Sequence, residues 1–143
     1  MDTIDMKDDF DYNLVLEAKK AYEEEVAKRR GSNELYEIAN ERMKAYTKEI
    51  WNEISIAEAE NLKELIHCYL TKETVNSPRM VHLCDKMRKH IDKYYYPCPI
   101  EVFTDIGWSY VEEEQLRNYY DQNAPGLAAY YNLAIQYYCK ISS

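Results

Sequence analysis

Four prolines, Pro78, Pro97, Pro99 and Pro125, each stand where helical periodicity breaks. Proline has no amide hydrogen and its ring clashes with the preceding turn, so it sits in the first turn of a helix or just outside one. The clearest break is "TVNSP". Ser77 can cap a helix that begins at Pro78 and carries Val81, Cys84, Met87, Ile91 and Tyr94 or Tyr95 on its apolar stripe. That helix must stop by Pro97. The stretch "YYYPCPIE" then repeats the device: Cys98 is expected at the N-cap, Pro99 at the first helical position and Glu101 two residues later, opening a helix that runs to about Val111. A short helix in "EEEQLRNYYD" follows, its acidic start a solvated helix terminus. A last helix starts from Pro125 and carries Leu127, Tyr131, Ala134, Ile135 and Tyr138.

Ahead of the prolines the same period recurs. Val15, Ala18, Tyr22 and Val26 predict a helix closed by "KRR" and Gly31, while residues 1–12 lack periodicity and are expected to be frayed. Its thin apolar stripe predicts that this N-terminal third is the more mobile part. Ser32 offers a cap for a helix with Leu35, Ala39, Arg42 or Met43, and Tyr46 on its buried side. Thr47 offers another in "YTKEIW", before a long helix with Ile50, Ile54, Ala57, Leu65 and Tyr69. The expected fold is an all-α bundle of about six or seven helices in one domain, 13–143, with no strand and no internal repeat.

A formal net charge of −8 argues against phosphate backbones and anionic lipid as partners of this chain. No apolar run approaches the length of a membrane span, and the acidic start is unlike a secretory signal, so a cytoplasmic protein is expected. Cys68, Cys84, Cys98 and Cys139 are widely spaced without a C-x-x-C and read as reduced thiols.

Tyrosine is the outlier, 15 copies against 2 phenylalanines, which suits a wet, polar-rimmed cavity or a bundle whose core edges reach solvent. Trp51 on a helical stripe reads as core. Neighbours on a helix diverge by about 100°, so one of Tyr119 and Tyr120, and one or more of Tyr94, Tyr95 and Tyr96, must face a surface or cavity. With Trp108 and Tyr110 these are the aromatic candidates for a binding cleft. His90 lies two turns before the proline corner, on the wall leading to Cys98 or half-buried against a carbonyl. A thiol at an N-cap would face unpaired amides that favour the thiolate, making Cys98 the candidate nucleophile, whereas Cys68, Cys84 and Cys139 fall on or near apolar stripes. His67, Cys68, His82 and Cys84 are metal-ligand types, but their spacing matches no closed zinc pattern, and no metal or cofactor is expected. No motif fixes an Asp, His or Asn beside Cys98 as a triad would require, so an enzyme is not expected.

"AYEEEVAKRRG", "YTKEIW", "HIDKYYYPC", "SYVEEEQLRNYYD" and "PGLAAYYNLAI" resemble, in order and spacing, the TipAS antibiotic-recognition domain, the effector-binding half of thiostrepton-induced MerR-type regulators. The resemblance runs from about residue 20 to the end. It implies a globin-like fold with a deep cleft, thiopeptides or other bulky antibiotics as ligands, and covalent capture through the cysteine of the "YYYPC" stretch, here Cys98. A haem site is suggested only by that globin-like fold, and no isolated proximal histidine supports it. Arg30, Met87 and Pro97 depart from the family pattern and bear on ligand identity. No basic helix-turn-helix precedes the domain, so the expectation is a monomeric fragment of a regulator that is dimeric and binds DNA when whole, or a stand-alone drug-sequestering protein.

Overall fold

The computed structural model describes residues 34–143, and among these the chain forms six helices and no strand. They are α1 (Glu34–Lys44), α2 (Lys48–Leu70), α3 (Pro78–Tyr94), α4 (Ile100–Glu112), α5 (Glu114–Asp121) and α6 (Leu127–Ser142). The frayed start and the helix expected over 13–30, with its mobility, lie outside the described residues, as does the cap expected at Ser32.

Two starts follow their side chains. The Thr47 hydroxyl accepts from the amide of Ile50, and the Ser77 hydroxyl accepts from the amide of Met80 with Pro78 in the first turn. Each satisfies an amide that the first turn of a helix leaves without a partner. The last helix starts two residues later than Pro125, because Gly126 takes a left-handed φ of 90° at its N-cap, a conformation that favours glycine. Between α4 and α5 the break is a single residue, Glu113, whose ψ of 116° leaves the helical region.

The proline corner corrects one expectation. The N-cap of α4 is Pro99 and the first helical residue is Ile100, so Cys98 stands one position farther out than predicted. The residue before a proline is pushed out of the helical region, and the Cys98 amide is already engaged: it donates to Asp92 Oδ1 at 2.9 Å, back towards α3. The corner thus belongs to the end of α3 as much as to the start of α4. Its carbonyl accepts from Arg88 Nη1 at 2.9 Å, and its side chain turns inward to 0 % exposure.

The core is built from α3, α4 and α6, with α2 packed against α3. Phe103, Leu83, Leu127 and Ile135 are fully buried, and Phe103 meets the ring of Tyr138 edge-on at 5.8 Å. Each such side chain contributes about 1.5–3 kcal/mol by leaving water. The crossing of α4 over α6 is close because Gly107 lies in it: a Cβ there would come within 2.8 Å of Asn132 Oδ1 and 2.9 Å of Ile135 Cγ2.

Tyrosine hydroxyls tie the connections to this core. Tyr46 donates to the carbonyl of Tyr94, Tyr69 to that of Pro125 and Tyr130 to that of Glu73, each at 2.6 Å. Arg42 adds a bond to the carbonyl of Asp92, also 2.6 Å, so the end of α1 caps the end of α3. No helix among the described residues is long and apolar enough to cross a membrane.

Candidate functional site

A pocket opens between α2, α3, α4, α5 and α6. Along α2 the residues Glu58, Asn61, Leu62 and Leu65 line it at the i, i+3, i+4, i+7 spacing that places side chains on one helical face. On α3 the same geometry presents Met87, His90 and Ile91. Four tyrosines close it: Tyr110 from α4, Tyr119 and Tyr120 from α5, and Tyr131 from α6. Counted out through its open mouth, with open solvent included, the space is about 510 Å³.

The tyrosines form one aromatic cluster. Tyr110 and Tyr131 stack with ring centres 5.0 Å apart and planes 20° from parallel, and Tyr120 packs against both, at 4.9 and 5.4 Å. Tyr119 meets Tyr120 edge-on at 5.1 Å. The Tyr131 hydroxyl donates to Met87 Sδ at 2.8 Å, and burial holds its phenol well above the ordinary value, so it remains protonated. On the opposite wall Glu58 Oε2 lies 2.9 Å from His90 Nε2 and accepts from the Tyr95 hydroxyl at 2.7 Å.

The nine residues singled out from the sequence are thus divided. His90, Tyr110, Tyr119 and Tyr120 line the pocket together. Tyr95 stands behind the wall and meets two of its residues, Glu58 through a hydrogen bond and His90 edge-on at 6.2 Å. Tyr94 packs between His90 and Tyr46, at 4.9 and 6.2 Å, and Tyr96 is buried beside the corner. Trp108 points out of the bundle at 47 % exposure. Trp51 packs against the core, edge-on to Tyr46.

Cys98 is the main correction. A corner was expected to present its thiol; the structure buries it completely and leaves it out of the pocket wall. Nor does it hold the N-cap position from which amides would favour a thiolate. Cys68, Cys84 and Cys139 are buried too, and burial raises all three, Cys84 to about 12. His67 and His82 are exposed while Cys68 and Cys84 point inward, which separates the residues considered as metal ligands.

Glu58 and Asn61 were missed. Ile54, Glu58, Asn61 and Leu65 recur at helical spacing, so two polar residues interrupt a stripe whose other members are buried. Ala57, expected on that stripe, is only half-buried. Polar side chains placed among core positions are the signal that could have found this wall.

The TipAS antibiotic-recognition domain model matches residues 22–138. The HTH-type transcriptional activator TipA of Streptomyces coelicolor is 32% identical over 114 residues, covering 80% of this chain and 45% of that protein. The HTH-type transcriptional activator mta of Bacillus subtilis is 29% identical over 123 residues, 86% of this chain and 47% of its own length. The chain therefore spans about half the length of the curated relatives it matches. Among solved structures, TipAS from Streptomyces lividans in complex with nosiheptide, described as part of a thiopeptide antibiotic multidrug resistance system, superposes with a TM-score of 0.75. It is 30% identical, with 86% of each chain covered. With the family model matching more than two thirds of its length and the fold in agreement, the chain belongs to the TipAS antibiotic-recognition domain family.

Proposed function

We propose that this domain is the effector-binding half of a MerR-type transcription activator and that it holds a bulky antibiotic of thiopeptide kind in the tyrosine-walled pocket. The observation that carries the reading is the likeness, at 30% identity, to a TipAS structure that contains nosiheptide. The pocket supplies what such binding needs, stacking faces for the ligand's rings and a few polar groups to orient it. Regulators of this kind act in the cytoplasm, through DNA bound by a part other than this domain.

Binding is reversible on this reading. Cys98 is fully buried and outside the lining, so covalent capture would require the corner to open first. The domain binds and does not turn its ligand over. Titrating the chain with nosiheptide while following intrinsic fluorescence and intact mass tests both points. A saturable complex of unchanged covalent mass supports the reading, and absence of binding overturns it. Fusion to the DNA-binding half of a relative, with a reporter promoter, separates a regulator from a protein that only sequesters the drug.

A further inference from the structure

We infer that the outward face of α4 and α6 is a contact surface between two copies of this domain, α6 of each copy lying against α4 of the other about a two-fold axis parallel to both helices.

The face is apolar where a bare surface would be charged. α6 holds a single charged residue, Lys140, among its 16, in a chain that is 31% charged. Its inner side belongs to the core, while its outer side carries Ala129, Leu133 and Ile141 exposed and Tyr137 half-buried, at a spacing of four. A helix that is apolar all round is ordinarily covered on every side. Beside it α4 turns out Trp108, in one exposed row with Glu101 and Glu112. Of the five large apolar side chains exposed among the described residues, Trp108, Leu133 and Ile141 stand on these two helices.

Charge selects a second copy as the occupant. The carbonyl of Ile100 accepts from Cys139 Sγ at 3.7 Å, that of Thr104 accepts from Gln136 Nε2 at 2.9 Å, and Tyr110 stacks on Tyr131. The two helices therefore run antiparallel, with Glu101 level with Lys140, Trp108 with Leu133 and Glu112 with Ala129. An axis along the helices preserves these levels, so Leu133 meets the partner's Trp108 and Lys140 meets the partner's Glu101. Both charged residues are exposed, and neither has an ion-pair partner among the described residues. An axis across the helices would instead bring Glu101 to the partner's Glu112, like charge against like.

Two adjacent helices of about four turns offer a face of roughly 20 by 24 Å, at the small end of specific interfaces, so the dimer is weak, with a Kd of about 10–100 μM. At a few micromolar the chain is then the monomer expected from its sequence.

Sedimentation of the whole chain from about 2 to 500 μM tests this, and a reversible shift from monomer to dimer is the expected result. Trp108→Glu should hold the protein monomeric throughout. Lys140→Glu should weaken association about threefold to tenfold, and Glu101→Lys placed in the same chain should restore it, a rescue that general stickiness would not give. Circular dichroism shows whether each variant keeps its helices, and Leu133→Glu replaces any that does not. A monomer at every concentration would overturn the inference, whether the face stays bare or is covered by residues 1–33 or another protein. Unchanged dimerisation of both Trp108→Glu and Leu133→Glu would overturn it as well, by placing the contact elsewhere.

Discussion

Arg88 Nη1 donates to the carbonyl of Cys98 across 2.9 Å, clamping the proline corner to the helix ten residues before it. The same guanidinium donates through Nε to the Tyr138 hydroxyl, also at 2.9 Å, and that hydroxyl donates to Asp85 Oδ1 at 2.5 Å. One partly buried cation thus joins α3, the corner and α6.

Arg88→Met should therefore cost about 1–3 kcal/mol, the penalty of leaving a polar group unsatisfied where water is scarce. Urea unfolding followed by circular dichroism measures it. Alkylation of Cys98 in the native state should speed up more than alkylation of Cys84, because the corner loosens and the centre of α3 does not. Equal acceleration of both thiols would show that the change acts on global stability alone.

Asp85 makes an acid-side prediction. Its hydrogen bond from Lys89, and after it the one from Tyr138, holds the carboxyl below its ordinary range. A depressed folded value means that the stabilisation is complete above the unfolded value and is lost as pH falls through the folded one. The advantage of the native chain over Asp85→Asn should shrink as pH is lowered through the carboxylate range. A constant difference in urea midpoint across that range would contradict it.

Cys84 makes an alkaline one. Burial first, and the nearby Cys139 second, push its thiol from 9.0 up to about 12. The unfolded chain releases this proton earlier than the folded one, so stability falls as pH rises from 9.0 towards about 12. Cys84→Ala should flatten that part of the pH profile, even though it lowers stability overall by opening a cavity.

Gly107→Ala tests the crossing of α4 and α6. Alanine favours a helix by about 1 kcal/mol over glycine, yet the new methyl would meet Asn132, Gln136 and Ile135 at 2.8, 2.8 and 2.9 Å. Overpacking of this kind costs about 1–3 kcal/mol, so the net effect should be a loss. A rise in thermal midpoint would mean that the two helices separate freely.

The proline and cap chemistry of this chain is local, and its helices were legible for that reason. Ser77 with Pro78 and Thr47 with Ile50 need only residues within one turn of each other. Cys98 was misread because its position depends on Asp92 and Arg88, which reach it from the preceding helix and carry no mark of doing so in the sequence. The pocket was half legible for a related reason. Divergence of adjacent tyrosines required that one of Tyr119 and Tyr120 face a surface or cavity, whereas the partnership of Glu58 with His90 joins positions 32 residues apart and exists only once α2 lies against α3.

The three phenol-to-carbonyl bonds of Tyr46, Tyr69 and Tyr130 span 48, 56 and 57 residues of chain. A connection fastened to a distant helix in this way cannot fray by itself, because releasing it also strips a ring from the hydrophobic interior. Backbone amides flanking Tyr94, Pro125 and Glu73 should then exchange with deuterium at the pace of whole-domain opening, and the bends of this bundle share the cooperative unit of its centre.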